Sequence, residues 1–303
     1  MNPGCPLCGS VQNTVKYKKL RYPGASLVKC DHCSHIYTRL NREIENKNLY
    51  SEGAYELVDT RNSIYDKILS REYGRVMRSI KAFKPQMGRL LDFGCGKGKL
   101  GSIAKNKGWQ VDGVETSIER AAYAKNIYGL DVSTDVYSSG EIFPYDFDVI
   151  TLFHVIEHLE HPQVLLDELI KNNLSKNGLL VIEVPNINSE QSRIAGSKWM
   201  HLDPQRHISH FTPKRLEQMA RDLGLTTVRI SSFSFHLGVL GMIDSLLKRL
   251  GYSKDIIYEL KNRKSFFLRF AVILLLPLAL PFEFISHWMG RGGIMRYYLT
   301  RSN

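Results

Sequence analysis

Hydrophobic residues recur along the chain with two periods, and their order predicts an α/β architecture. From residue 88 onward, short apolar runs typical of buried strands alternate with stretches that repeat every three to four residues, as helices do. The predicted strands are 89–93, 109–115, one near Val132, 147–153, 178–184, 225–235 and 294–300. This alternation predicts a doubly wound, mostly parallel seven-stranded sheet with helices on both faces.

Spacing and capping signals predict the helices. Ser117 and Thr212 stand at N-cap positions, and Pro213 occupies the first turn after Thr212. An earlier helix, closed by Pro85, is indicated by apolar residues three to five apart at Ile64, Ile68, Tyr73, Val76 and Ile80. The helices predicted within the α/β region are 99–107, 117–128, 162–174 and 213–223.

Changes in this pattern divide the chain into four predicted regions. The first is a cysteine-rich head with little helical periodicity, and the second is a helical linker or lid. The α/β core follows, interrupted before its last strand by an apolar helical insertion. The predicted bounds are 1–40 for the head, 41–87 for the linker, 88–235 plus 292–303 for the core, and 236–291 for the insertion.

The insertion contains residues 270–282, which carry no charge and include Pro277 and Pro281. A membrane-spanning helix needs about 20 apolar residues, so we expect this shorter, proline-broken run to lie at an interface. Residues 236–303 contain ten Lys/Arg and four Asp/Glu, a net charge of +6. An apolar segment with basic neighbours favours an anionic membrane surface. A buried helical hairpin or a dimer contact is the alternative, and the sequence leaves the oligomeric state open.

Composition narrows the class of protein and its partners. The chain has 303 residues, 43% of them hydrophobic, and a formal net charge of +11. These values are typical of a folded globular protein that favours acidic partners: nucleic acid, anionic lipid or phosphate-bearing substrates. The start of the chain has no basic segment followed by an apolar core. We therefore expect a cytoplasmic protein, peripheral on the inner face of the cell membrane if the insertion binds lipid.

Four of the five cysteines form two Cys-x-x-Cys pairs near the start of the chain. The pairs are Cys5/Cys8 and Cys30/Cys33. Reduced thiols are expected in the cytoplasm, and four thiolates supply one tetrahedral Zn²⁺. The spacing therefore predicts a structural zinc ribbon, with surface thiols as the alternative.

A glycine-rich loop follows the first core strand. Asp92 ends that strand, and Gly94, Gly96 and Gly98 come at every second position. Glycines allow a sharp turn and close approach of a ligand to the backbone. The third glycine comes one position too early for a dinucleotide fingerprint, and no phosphate-binding P-loop motif is present.

Two acidic residues discriminate between cofactors for this loop. Glu115 ends the next strand, where a carboxylate accepts ribose hydroxyls, and Asp92 places a second negative charge beside the loop. A pyrophosphate would be repelled by Asp92, whereas the ammonium and sulfonium groups of S-adenosylmethionine would be attracted. The sequence therefore favours S-adenosylmethionine.

These features resemble class I S-adenosylmethionine-dependent methyltransferases over roughly residues 88–235 plus the last strand. Residues 91–98 (LDFGCGKG) look like motif I, and 113–115 (GVE) like the acidic ribose-binding motif. Residues 147–162, from FDVI to HVIEHLEHP, resemble the motif of the branch that contains ubiquinone-type methyltransferases.

The resemblance implies roles for individual residues. Glu115 would bind the ribose hydroxyls, Asp135 the adenine amine, and Phe153 would flank the sulfur. The full set of implied cofactor-binding residues is Asp92, Phe93, Gly94, Cys95, Gly96, Gly98, Glu115, Thr116, Asp135, Phe153 and His154.

A histidine-rich loop at 186–212 is predicted to face the methyl acceptor. Histidine titrates near neutral pH, so it suits the deprotonation of an oxygen or carbon acceptor. The candidate bases are His154, His158, His207 and His210, with a purely structural Glu157–His158 pair as the alternative. Arg206 is a candidate clamp for a substrate phosphate. The spacing of the loop histidines matches no standard metal-ligand pattern.

The zinc ribbon together with residues 210–213 (HFTP) looks similar to methyltransferases of bacterial polysaccharide and deoxysugar pathways. The resemblance implies a sugar, glycan or lipid-linked glycan acceptor. A quinone-like lipid is the alternative, indicated by Glu157-His158 and the apolar insertion. A zinc-ribbon nucleic-acid binder or RNA methyltransferase is less favoured, because the head lacks an aromatic and basic face. A cofactor-binding protein without turnover is the fourth hypothesis.

Overall fold

A computed structural model describes residues 4–18, 20, 22, 24–40, 61, 63–135, 143–252, 254, 256, 259 and 266–302. Residues 41–60 and 62 of the predicted linker lie outside the described residues. Its helical part is present as helix α1, Ile64–Phe83. Ser63 caps α1 by accepting a hydrogen bond from the backbone N–H of Asp66.

The described residues form eleven strands and eight α-helices. The strands are β1 Asn13–Tyr17, β2 Ala25–Cys30, β3 Ile36–Leu40, β4 Arg89–Phe93, β5 Gln110–Val114, β6 Asp131–Ser133, β7 Phe147–Phe153, β8 Leu174–Pro185, β9 Ser209–His210, β10 Leu225–Ser231 and β11 Ile294–Arg301. The helices are α1, then α2 Lys99–Lys105, α3 Ile118–Tyr128, α4 Pro162–Asn173, α5 Glu190–Ala195, α6 Pro213–Asp222, α7 Leu240–Arg249 and α8 Phe266–Trp288.

The large sheet confirms the predicted doubly wound architecture. Its strand order is β10-β11-β8-β7-β4-β5-β6. The five strands from β8 to β6 run parallel, whereas β11 is antiparallel to both of its neighbours. The carboxyl ends of the parallel strands therefore meet at one edge, where ligands bind in folds of this kind.

Successive apolar residues of the central strands face opposite sides of this sheet, and both sides are covered. Leu90 and Val149 pack with α1 and α2, whereas Leu91 and Ile150 pack with residues of α4 and α6. All four strand residues are fully buried. Burial on both faces explains why these strands appear in the sequence as continuous apolar runs.

The head forms a separate antiparallel sheet in the order β1-β2-β3-β9. The fourth strand comes from the histidine-rich loop, with Ile36 opposite His210 and Tyr37 opposite Ser209. The backbone N–H of Thr38 also donates to the carbonyl of Ile208 at 2.8 Å. The head is thus hydrogen-bonded directly to the loop that is predicted to face the acceptor.

The insertion is helical, as predicted, but the expectation that prolines break its apolar segment is wrong. Helix α8 runs for 23 residues through both Pro277 and Pro281. Spaced four apart, the prolines lie on one face of the helix, and apolar residues extend the helix on both sides of them. Phe270–Trp288 has the length and composition of a spanning helix, and only 22% of that window is buried within the protein.

Several strand bounds also differ from the prediction. Strand β8 begins at Leu174, because Leu174 pairs with Phe147 ahead of the predicted start. Strand β10 ends at Ser231, earlier than predicted, since Ser234 caps a short π-helical turn at Phe235–Val239 that leads into α7. Both N-caps predicted from the sequence, Ser117 and Thr212, accept the expected backbone hydrogen bonds.

Candidate active site

The residues predicted to bind a cofactor lie at or just beyond the carboxyl ends of neighbouring strands of the large sheet. Asp92 and Phe93 end β4, Glu115 and Thr116 follow β5, and Asp135 follows β6. Phe153 ends β7, and His154 follows it. The glycine loop connects β4 to α2 along the same edge. One continuous site is therefore built from four consecutive strand ends.

The glycine loop needs its glycines for two different reasons. Gly94, Gly96 and Gly98 all have positive φ angles, of 73°, 54° and 76°. A Cβ atom at Gly94 would lie 2.4 Å from a methyl group of Val155, and one at Gly98 would lie 2.8 Å from Cβ of Ala124. At Gly96 it would meet nothing within 4 Å, so open space lies against bare backbone there.

Asp92 is a buried carboxylate at the start of this loop, only 3% exposed. Its Oδ1 accepts a hydrogen bond of 2.8 Å from the hydroxyl of Thr151 on the neighbouring strand β7. Burial raises the pKa of Asp92 to about 6, although the hydrogen bond from Thr151 opposes the rise. A cationic ligand beside Asp92 would favour its ionised form.

Glu115 connects the glycine loop to the N-terminus of α3. Its Oε2 accepts from the backbone N–H of Gly96 at 2.9 Å, and its Oε1 accepts from that of Ser117 at 2.8 Å. Each carboxylate oxygen can accept two hydrogen bonds, so both oxygens retain capacity for a ribose hydroxyl. The residue is 8% exposed and thus fixed in position.

The remaining predicted cofactor residues have varied settings. Thr116 and Asp135 are exposed beyond β5 and β6, and Asp135 accepts a hydrogen bond from the Ser133 hydroxyl. The ring centroid of Phe153 lies 6.0 Å from that of Tyr73 in α1. Burial, together with the charges of Asp92 and Glu115, raises the pKa of Cys95, which keeps this thiol protonated. The exposed backbone at Gly96, together with the carboxylates of Asp92 and Glu115, therefore fits a ligand that joins an uncharged nucleoside to a positively charged group, as S-adenosylmethionine does.

His154 is held between two carboxylates. Its Nδ1 lies 3.1 Å from Oε1 of Glu157, and its Nε2 lies 3.1 Å from Oε1 of Glu183. Burial lowers the pKa of His154, but both carboxylates outweigh this effect and raise it to about 10. The residue also has a positive φ of 56°, an uncommon conformation for a residue with a side chain. A protonated imidazole between two acids is poorly suited to remove a proton.

Behind His154 lies a buried ion-pair network that the sequence analysis missed. Oε2 of Glu183 accepts from Nε of Arg296 at 2.6 Å, and Nη2 of Arg296 donates to Oε1 of Glu72 at 2.9 Å. The partners come from β8, β11 and α1. The signal in the sequence is a single charged residue within each of the two predicted apolar strands 178–184 and 294–300, at Glu183 and Arg296.

A second cluster comprises Glu157, His158 and His207, whose ligand atoms lie within 4.8 Å of one another. The Nδ1 atoms of the two histidines lie 3.0 Å from the carbonyl of Arg206 and 2.7 Å from that of His201. A carbonyl only accepts, so each Nδ1 carries the hydrogen and Nε2 is the basic nitrogen. Burial lowers the pKa of His158 to about 4, which keeps it neutral. These three residues could hold a divalent metal or position an acceptor hydroxyl.

Two other residues of the histidine-rich loop have structural partners. Nε2 of His210 lies 2.9 Å from the hydroxyl of Thr38 in the head. Nη1 of Arg206, the predicted phosphate clamp, donates to Oδ2 of Asp203 at 3.0 Å. The structure thus brings His158 and His207 together, whereas His210 belongs to the contact with the head.

The four paired cysteines converge in the head, their sulfur atoms within 4.8 Å of one another. The Sγ atoms of Cys5 and Cys33 are 3.5 Å apart, and those of Cys8 and Cys30 are 3.6 Å apart. A zinc ion at about 2.3 Å from each sulfur gives tetrahedron edges of about 3.8 Å. The cluster is therefore consistent with a structural zinc site, which leaves no open coordination position.

Comparison with known proteins agrees with this geometry. A family model described as "Methyltransferase domain" matches residues 65–230, more than half of the chain. The fold and the loop chemistry define a class I methyltransferase that depends on S-adenosylmethionine. The chain belongs to the methyltransferase-domain family.

The chain is similar to several curated ubiquinone biosynthesis O-methyltransferases. It is 29% identical over 148 residues to that of Rickettsia conorii, covering 45% of this chain and 48% of the relative. The mitochondrial enzyme of Schizosaccharomyces pombe is 33% identical over 132 residues, covering 41% and 46%. The chain thus spans about half the length of these relatives.

Solved structures share the fold at low sequence identity. The plantazolicin methyltransferase BpumL in complex with SAH is 17% identical, with a TM-score of 0.51, covering 84% of this chain and 93% of that one. An S-adenosylmethionine-dependent methyltransferase from Clostridium acetobutylicum is 11% identical, with a TM-score of 0.50, covering 79% and 97%.

Proposed function

We propose that this methyltransferase acts on a sugar, a glycan or a lipid-linked glycan intermediate. The observation that supports the proposal is the polar character of the cluster beyond β7 and β8. Glu157, His158 and His207 present carboxylate and imidazole groups at the strand edge where the cofactor loop also lies. Such groups recognise hydroxyl-rich acceptors by hydrogen bonding.

In this proposal, different residues bind the cofactor, accept the proton and orient the site. When bound, S-adenosylmethionine supplies a methyl carbon activated by a sulfonium, so that the protein mainly aligns donor and acceptor. Asp92 and Glu115 hold the donor. His158 or His207 accepts the acceptor proton at Nε2, since each Nδ1 is hydrogen-bonded to a carbonyl. His154, protonated between its two acids, donates hydrogen bonds and keeps Glu157 oriented.

A quinone-like lipid is the second candidate acceptor. It is favoured by the similarity of the chain to ubiquinone biosynthesis O-methyltransferases and by the exposed apolar residues of α8. A membrane-embedded acceptor would also require the protein to reach the bilayer. We propose that α8 provides this contact on the inner face of the cell membrane, and that the head holds one structural Zn²⁺.

The acceptor classes are separated by a methyl-transfer assay. The protein and isotopically labelled S-adenosylmethionine are incubated with nucleotide sugars, lipid-linked glycans or polyprenyl catechols, and products are identified by mass spectrometry. We expect label in the glycan fractions, and none with the Asp92→Ala/Glu115→Ala control. Label in the catechol fraction alone would replace the first proposal with the second.

A further inference from the structure

A groove with a volume of about 340 Å³ lies between α1 and the strands β10 and β11, apart from the glycine loop. Arg75 and Arg78 approach it from α1, and Arg229 from β10. Arg296 forms part of the same lining, but Glu72 and Glu183 already neutralise it. Three guanidinium groups are therefore left to define the charge of the groove.

None of Arg75, Arg78 and Arg229 forms an ion pair with any described residue, and all three are exposed. The guanidinium carbon of Arg75 lies 4.6 Å from the ring centroid of Phe235, and that of Arg229 lies 5.9 Å from the ring of Tyr298. Stacking on a ring orients a guanidinium plane while its N–H edges stay available. The N–H groups at the edges of several guanidinium planes can donate hydrogen bonds to the oxygens of one phosphate group.

The groove is continuous with the exposed apolar helix α8. Phe233, which lines the groove, packs 6.1 Å from Phe284 and 6.0 Å from His287, both in α8. Along α8 the side chains of Ile273, Leu274 and Trp288 are 69%, 67% and 85% exposed. The three arginines of the groove thus lie beside the exposed apolar surface of α8, which can contact lipid acyl chains.

We propose that this groove binds the phosphate group of an anionic membrane lipid whose acyl chains contact α8. An amphiphile matches both halves of the surface, whereas a soluble phosphate would leave the apolar half exposed. Arg206, the residue predicted from the sequence to bind a phosphate, forms an ion pair with Asp203. We therefore assign phosphate binding to the arginines of α1 and β10. The proposal rests on the membrane contact proposed above for α8, but not on the identity of the methyl acceptor.

The groove also borders the methyl-transfer site. The guanidinium carbon of Arg296, on the groove side, lies 5.4 Å from the ring centroid of Phe153, and Arg296 binds Glu183, which contacts His154. A lipid phosphate in the groove would therefore place the catalytic edge of the sheet close to the bilayer surface.

The test is flotation of the full-length protein with vesicles of phosphatidylcholine alone or with phosphatidic acid added. We expect phosphatidic acid to tighten binding and Arg75→Gln/Arg78→Gln/Arg229→Gln to weaken it roughly 100-fold, since each basic residue at an anionic surface contributes to affinity. The matched control is Lys107→Gln/Lys125→Gln/Lys176→Gln, which removes the same charge from exposed positions elsewhere. Its affinity should stay close to that of the unmodified protein.

Three outcomes would overturn the assignment. Equal losses in both triple variants would show diffuse electrostatic attraction rather than a site. Displacement of the protein from vesicles by millimolar inorganic phosphate would assign the groove to a soluble phosphate. Displacement by a single-stranded oligonucleotide at equal phosphate concentration would assign it to nucleic acid. Affinity for S-adenosylmethionine, measured in parallel, shows that each variant is folded and separates these outcomes from failure of the proposed activity.

Discussion

Two parts of the candidate site lie on one edge of the sheet but are held in place differently. The donor end comprises the glycine loop with Asp92 and Glu115, and the proposed acceptor end comprises His154 and the cluster of Glu157, His158 and His207. The donor end is built from neighbouring segments: Glu115 binds the N–H of Gly96, nineteen residues earlier. The acceptor end depends on distant ones: Glu72 and Arg296, which support Glu183 and through it His154, are 224 positions apart. Contacts close in sequence thus dominate the candidate donor site, whereas segments far apart in sequence support the proposed acceptor site.

This difference indicates where acceptor specificity would reside in the proposed site. Glu115 is held by backbone groups close in sequence, those of Gly96 and Ser117, whereas Asp92 depends on the Thr151 hydroxyl of the neighbouring strand. The proposed acceptor end combines strand ends, the histidine-rich loop and the head. In this proposal, changes in any of these elements would alter the acceptor site and leave the glycine loop and Glu115 in place.

The largest expected effect is on turnover at the acceptor end. His158→Ala and His207→Ala should each lower kcat about 100-fold, within the range of general acid–base catalysis, with unchanged affinity for S-adenosylmethionine. His210→Ala, whose imidazole contacts Thr38, should have a smaller effect. Steady-state kinetics on the identified acceptor provides the measurement. Unchanged rates in all of these variants and in His154→Ala would eliminate histidine catalysis.

The donor end is tested by calorimetry. Asp92→Ala combined with Glu115→Ala should weaken binding of S-adenosylmethionine roughly 100-fold, about 3 kcal/mol, because each removes a charged or hydrogen-bonding partner from a buried site. His207→Ala serves as the matched variant at the acceptor end and should bind the cofactor normally. Full binding by the double variant would refute the assigned cofactor site.

Metal analysis tests the head. Cys5→Ser should lose the bound zinc and expose residues of the head to proteolysis, because metal binding and folding are coupled in such sites. Cys95→Ser is the control, since this cysteine belongs to the glycine loop. Retention of one zinc per chain in Cys5→Ser would contradict the four-cysteine site.

The smallest expected effect is a pH dependence of cofactor affinity. The pKa of Asp92 is about 6 in the unliganded protein, so the carboxylate is charged above that pH and neutral below it. Affinity for the sulfonium cofactor should therefore fall as pH decreases through 6, by at most about tenfold per unit. Calorimetry of Asp92→Asn should show no such dependence, and a parallel slope in both proteins would assign it elsewhere.

Much of the fold was predictable because the strands are buried on both faces and the helices carry clear caps. The glycine loop was predictable because its glycines have a recognisable spacing and Glu115, which binds the N–H of Gly96, lies only nineteen residues away. The proline-containing helix α8 was not, because two prolines usually interrupt a helix and here they do not. The pairing of His154 with Glu183 was also out of reach, since it depends on how β7 and β8 align.

The hydrogen bonding of β3 to β9 has an evolutionary consequence. The head meets the catalytic core through a two-residue strand in the very loop that carries His207. Replacement of the head would therefore alter the proposed acceptor site while the methyl donor chemistry continued unchanged. Such a joint would let an accessory module change the acceptor without a redesign of the catalytic centre.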